Sequence, residues 1–174
     1  MIQFLTMQFT SVLEKFEGNL WGHHILVPDG IYQPYAATDR RVVCRINDLK
    51  EFQCALMSKG DGQYFINLNK KLRKKLDINI GEAVTVELRK DESEYGLPMP
   101  EEMQELLNLD DEGNHYFHQL TKGKQRTLLH LVGKPKNTDI RLRKAVAVLE
   151  YLKEVEGKLD FKELNIAIKE SNQR

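Results

Sequence analysis

The sequence predicts an α+β protein, a small closed six-stranded β-barrel over residues 1–92 followed by an α-helical bundle over residues 98–174. Three observations predict it. Apolar and polar residues alternate with period two through the first half, as in half-buried strands. Apolar residues then recur at three and four in the second half, as on helices packed on one side. Between the two lies an acidic stretch, 91–112, with nine acids, no base, and Gly96, Pro98 and Pro100 as punctuation.

The first predicted strand covers 2–16, where Leu5, Met7 and Phe9 alternate with Thr6, Gln8 and Thr10. The alternation slips at 11–13, which reads as a bulge or strong bend. A turn at 17–19 leads to LWGHHILV, apolar on both faces and so expected to be covered on both sides. Pro28, Asp29 and Gly30 stop it, and IYQPYAA reads as a turn capping one end of the barrel. RVVCRI and EFQCALM then form a hairpin about Leu49. That register sets Val42 against Leu56, Cys44 against Cys54 and Ile46 against Phe52, all inward, with both cysteines reduced. The glycine-bearing loop SKGDG opens a second hairpin whose strand points Tyr64, Ile66 and Leu68 inward.

The stretch 69–91 organises the rest: a short basic helix with Leu72 and Leu76 one turn apart, a glycine turn at Gly81, and a strand with Val84, Val86 and Leu88 on one face. Six short strands with bent ends favour closure over an open sheet with exposed edges. After the acidic stretch, Pro100 with Glu101 and Glu102 starts a helix whose apolar face is Met103, Leu106 and Leu107. Further segments carry Tyr116, Phe117 and Leu120, then Leu128, Leu129 and Val132. Thr138 caps the longest helix, with Leu142, Ala145, Val146, Leu149, Leu152 and Val155 as its core face. Asp160 caps the last, Glu163 reaches back to it, and Leu159 packs on Leu164 as a staple.

The chain has 174 residues, 41% hydrophobic and 30% charged, with 26 basic and 26 acidic side chains. That excludes a disordered chain and any whole-molecule field that would recruit nucleic acid. The absence of a leader pattern and of an apolar span predicts a cytoplasmic protein without a membrane helix. Two cysteines are too few for a disulfide framework or a four-ligand zinc site.

No phosphate loop, nucleophile elbow, HExxH or paired CxxC occurs, so the sequence points away from an enzyme and toward no cofactor. His23 and His24, adjacent on a strand, project to opposite faces and do not share an ion. Glu112, His115 and His118 fall on one helical face, a metal-compatible spacing that lacks an obvious fourth partner. No metal is therefore expected. The sharper signal is Lys70, Lys71, Arg73 and Lys74, followed by Lys75. Cations in a helix's first turn oppose its dipole, and an anion there relieves the conflict. A second basic run, 122–144, sets eight cations against Asp139 alone, without aromatics interleaved to stack bases. In the bland reading, the acidic stretch docks on one of these runs, or the lysines are simply solvated.

The run RRVVCRIN, then EFQCALMSKGDGQYFINLNKKLRKKLDINIGEAVTVEL and Asp91, resembles the small bacterial barrel domain of unknown function called family 1905. The pattern is a strand, an Ile-Asn turn, a glycine before a Tyr-bearing strand, a Lys-x-x-Arg helix and a Gly-acid turn, here Gly81-Glu82. LTKGKQRTLLHLV and TDIRLRKAVAVL are similar to the YdeI/OmpD-associated helical region, linked with bacteriocin or antimicrobial-peptide protection. His130 stands there where a tryptophan is common. The resemblance implies a closed six-stranded barrel and no catalytic residues. The expected function is a cytoplasmic, non-enzymatic binding or stress-protection protein that takes a small anionic ligand at 69–76 or a protein partner. The alternatives are an enzyme with a pocket between barrel and helices, or a weak nucleic-acid binder through 122–144.

Overall fold

In a computed structural model the described residues are 5–17 and 22–173. The chain divides into two compact units, Met1–Glu92 and Ser93–Arg174. The first holds a nearly closed antiparallel barrel of seven strands, β1 (Met7–Lys15), β2 (His23–Val27), β3 (Arg41–Ile46), β4 (Phe52–Ala55), β5 (Met57–Ser58), β6 (Tyr64–Leu68) and β7 (Ala83–Lys90), in the order β4-β3-β7-β1-β2-β6-β5.

The seventh strand arises where a single strand was expected. The run 52–58 breaks at Leu56, whose amide donates to the Arg40 carbonyl at 2.9 Å, so β4 pairs with β3 while β5 pairs with β6. The two ends of the sheet are thus consecutive in sequence, and one residue joins them into a ring. The expected slip at 11–13 is absent. Ser11 keeps the inward parity of Met7, Phe9 and Leu13, donating its hydroxyl to the Leu26 carbonyl at 3.0 Å, and Val12 points out. The bend appears instead as a change of partner: β1 pairs with β7 through Val12 and with β2 from Leu13. The expected start of that strand at 2–4, the turn at 18–19, and Leu20 and Trp21 lie outside the described residues.

The β3–β4 register differs from the expected one by two residues, with Val42 against Cys54 and Cys44 against Phe52. Asn47 and Asp48 both adopt positive φ, 50° and 59°, and Leu49 donates to the Ile46 carbonyl. The hairpin therefore turns tightly on an Asn-Asp pair, residues that tolerate left-handed backbone, one position before Leu49. Parity is kept, so Val42, Cys44 and Ile46 remain in the core. Cys44 is buried, while Cys54 is only half-buried; both are free. A hydrogen bond to Cys54 and burial together push the Cys44 thiol pKa up.

Between β2 and β3, helix α1 (Asp29–Tyr32) and a 3-10 turn send Tyr32 and Tyr35 into the barrel core. The Tyr32 ring stacks on Tyr64 at 3.4 Å. Outside the barrel wall His24 is buried, stacked on Phe16 at 3.6 Å and edge-on to Phe65, so β2 is covered on both faces.

The second unit holds α3 (Glu101–Leu109), α4 (Asp111–Gln119), α5 (Lys122–Gly133), α6 (Thr138–Glu154) and α7 (Phe161–Ser171) about one core, with Met103, Phe117, Leu128, Leu149, Leu152 and Leu164 at its centre. Three expectations are corrected. Asn137, not Thr138, caps α6, its side chain accepting from the Ile140 amide at 3.1 Å. Asp160 caps α7, accepting from the Lys162 and Glu163 amides, but Glu163 does not reach back to it. The Tyr151 hydroxyl takes that place, accepting from the Asp160 amide and donating toward Glu163. Leu142 and Val146, expected in the core, are exposed; the buried face of α6 centres on Ala145, Val148, Leu149 and Leu152.

Candidate functional site

Helix α2 (Lys70–Leu76) is seven residues long, and each end has a local cause. The Asn69 side chain accepts from the Leu72 amide at 2.8 Å, and Asp77 ends the helix in the left-handed conformation at φ 49°. Leu76 is buried and Leu72 half-buried in the barrel core, which fixes the helix by its apolar side and turns the lysines out. Lys70, Lys71, Lys74 and Lys75 are exposed and Arg73 is half-buried.

The short helix changes the electrostatics expected of it. Arg73, Lys74 and Lys75 fall in its last turn, where cations suit the dipole, so only Lys70 and Lys71 oppose it. Asn69 also occupies one of the free first-turn amides. Whatever the cluster holds, it holds through side chains.

The sheet supplies two members that residue spacing does not reveal. Lys15 of β1 pairs with His23 of β2, and His23 pairs with Leu68 of β6, two residues before α2 begins. Lys15 and His23 continue the inward rows of Leu13 and Ile25 to the rim, and side chains paired across strands share a face. Arg73 reaches this rim: its Nη1 lies 3.3 Å from His23 Nε2. A guanidinium donates only, so His23 Nε2 is the acceptor and the ring is neutral. Desolvation first, then Arg73 and Lys15, depress the His23 pKa. Among the described residues of this unit, no ion pair involves Lys15 or any of the five α2 cations; the ion pairs there join Glu87 to Arg45, Asp61 to Lys59, Glu51 to Arg89 and Asp39 to Lys90, and Glu14 lies 3.4 Å from His24. Lys15, His23, Arg73 and the neighbouring lysines therefore present donors and positive charge without a carboxylate, a setting that accepts an anion.

The second basic run is different. Glu94 lies 3.8 Å from Lys122, and Arg141 gives two bonds to Glu102 Oε1, at 2.8 and 2.9 Å, and one each to the Pro135 and Lys136 carbonyls. Arg126 donates to the Tyr95 carbonyl at 2.8 Å. Just past the run, Lys153 pairs with Asp110 at 2.9 Å. The acidic stretch thus docks on this run within its own unit. The Arg141 guanidinium, above all through its hydrogen bond, holds the Glu102 carboxyl below the ordinary glutamate value.

The histidine face of α4 is engaged as well. His118 Nδ1 donates to the Asn114 carbonyl and Nε2 faces the Tyr95 hydroxyl, each at 3.0 Å. His115 Nε2 accepts from the Gln119 side-chain amide at 2.8 Å. Burial, then a hydrogen bond to Glu94, push the Tyr95 pKa up to about 12, so its hydroxyl stays protonated. Among the described residues no group of three metal-binding side chains converges.

Residues 9–88 match the model of a family described as Domain of unknown function (DUF1905). The match covers the barrel from β1 to β7 and includes α2. None of the curated proteins matches the chain. No helix among the described residues is long and apolar enough to cross a membrane.

Proposed function

We propose that the protein is a non-enzymatic binding protein whose barrel takes a small phosphate-bearing anion at the rim formed by Lys15, His23 and Arg73, with Lys70, Lys71 and Lys74 as the surrounding cations. One observation carries this reading. The α2 cations and Lys15 are free of carboxylates among the described residues of their unit, whereas key cations of the second basic run are matched by the acidic stretch. Arg73 and neutral His23 offer directed hydrogen bonds, and the lysines add charge at longer range. Binding of this kind is weak to moderate and falls steeply with salt, because exposed cations are screened within about 10 Å at 0.1 M ionic strength.

The resemblance of LTKGKQRTLLHLV and TDIRLRKAVAVL to the YdeI/OmpD-associated region is in keeping with a stress-protection role in the cytoplasm, with the barrel as the ligand-sensing part. The test is calorimetry of the full chain against inorganic phosphate, pyrophosphate and a nucleoside triphosphate at low salt. The expected result is heat with at least one of the three for the wild type and none for the Lys70→Gln/Lys71→Gln/Arg73→Gln variant. No heat from the wild type with any of them overturns the reading.

A further inference from the structure

His24 is the one histidine of the barrel unit outside the proposed anion site. It is 2% exposed and belongs to a cluster of three rings outside the barrel wall. Its ring stacks on Phe16 at 3.6 Å with 10° between the planes and meets Phe65 edge-on at 5.6 Å, while Phe16 meets Phe65 edge-on at 4.9 Å. Neither ring nitrogen reaches solvent, and neither makes a well-formed hydrogen bond among the described residues. Acceptors nonetheless stand ready. Glu14 of β1, whose side chain is half-exposed, sets Oε2 3.4 Å from Nε2, and the Gly22 carbonyl also faces the ring. The nearby cation is Lys59, 6.0 Å from the Phe16 ring centre and paired with Asp61. From β6 come Phe65 and Asn67, both uncharged, and residues 18–21 hold no titratable side chain. Lys15 and His23 lie on the opposite face of their strands. Such a cage suits a neutral imidazole and penalises a charged one. Burial accordingly pulls the His24 pKa below the ordinary 6.5, against Gly22 and Glu14, which favour the charge.

We propose that His24 is a proton-sensitive latch on the connection from β1 to β2. Neutral, it holds Phe16 against Phe65 and keeps the connection closed at the Phe16 amide, which donates to the Gly22 carbonyl at 3.2 Å. Charged, it leaves the rings for Glu14 and water, and Phe16 is released with it. Phe16 is the partner that moves, because Phe65 is buried within β6 at 1% exposure while Phe16 is half-buried and lies one residue past the end of β1. Lys15 and His23 adjoin the latch in sequence, so acid also unfixes the rim. That consequence rests on the anion reading, whereas the latch itself is tested without an anion ligand.

The test is NMR of the full chain in chloride between pH 7.5 and 5.0, a range in which ordinary carboxylates stay charged. The His24 imidazole is expected to titrate below 6.5, and the hydrogen-exchange protection factor of the Phe16 amide to fall at least ~10-fold through the same titration. Emission of Trp21, the single tryptophan and between Phe16 and His24 in sequence, changes with the same midpoint. His24→Phe keeps a ring in the stack without the proton, so Phe16 protection and emission stay constant over the range. Glu14→Gln removes a group that favours the charge and moves the midpoint to lower pH. Circular dichroism verifies that each variant is folded, and the wild-type titration decides alone where one is not. A His24 that stays neutral to pH 5.0 overturns the proposal. So does a His24 that titrates while Phe16 protection is unchanged, a transition that survives in His24→Phe, or a Glu14→Gln midpoint at or above that of the wild type.

Discussion

The two basic runs of this chain are alike in composition and opposite in circumstance. In the helical unit Lys122 and Arg141 face Glu94 and Glu102, and Arg126 is bonded to a backbone carbonyl. In the barrel unit the α2 cations face neutral His23 and, among the described residues of that unit, no carboxylate. The difference teaches that a run of lysines and arginines means little until the whereabouts of the acids are known. The 122–144 run is tied into its unit as structure, whereas the α2 run has no ion pair among the described residues of its own unit, which is what the proposed anion site requires.

The comparison presupposes two separately packed cores, and the largest expected effects test that. Leu88→Ala in the barrel and Leu152→Ala in the helices each remove a fully buried side chain and cost about 2–5 kcal/mol in chemical denaturation. A cost below about 1 kcal/mol at either site breaks the assigned core, since a buried leucine cannot be truncated so cheaply.

Arg141→Ala comes next, and it separates structural cations from ligand-binding ones. It strands the buried Glu102 carboxylate, so the variant is clearly less stable at neutral pH. The folded Glu102 pKa lies below the ordinary 4.5, so this stabilisation is present above that value and is lost as pH falls through the folded pKa. Urea melts of variant and wild type should therefore converge in acid, leaving a residual gap from the lost bonds to the Pro135 and Lys136 carbonyls. A gap that is constant with pH contradicts the ion pair.

Smaller effects come from the caps, one in each unit. Asn69→Ala frees one amide and Asp160→Ala two, and each costs about 1 kcal/mol, with the larger loss at Asp160. Equal melting of Asn69→Ala and wild type would mean that α2 is held by Leu72 and Leu76 alone. The smallest change is expected for Lys70→Gln/Lys71→Gln/Arg73→Gln, within about 0.5 kcal/mol of wild type, because largely exposed charges stabilise folds little. A strongly destabilised triple variant would move α2 into the structural class and erase the contrast.

Much of the fold was legible in the residues, and the misses have identifiable causes. Alternation located β3, β6 and β7, and the apolar spacing located α3 to α7, because burial on one face writes a period into the sequence. Alternation is silent about even shifts, however, so it fixed the face of Cys44 without fixing its partner; the Asn47-Asp48 turn held that information. The edge of α6 was misread because spacing of three and four gives a stripe without giving its centre, and Leu142 and Val146 lie off the buried line. In the candidate site Lys70, Lys71, Arg73 and Lys74 stood out as a charge cluster. Lys15 and His23 did not, since their place beside Arg73 depends on the pairing of β1, β2 and β6, a long-range arrangement that no local motif encodes.

His23 reports on the central claim most directly, because it touches the proposed ligand position and feels the same cations. Desolvation together with Arg73 and Lys15 lowers its pKa, and an anion bound between them must raise it. The measurement is the imidazole pKa of His23 by NMR titration in the full chain, with inorganic phosphate against chloride at matched ionic strength. The account predicts a higher pKa in phosphate for the wild type and no phosphate-dependent change in Lys70→Gln/Lys71→Gln/Arg73→Gln. A His23 pKa that is the same in phosphate and chloride would contradict an anion site at this rim.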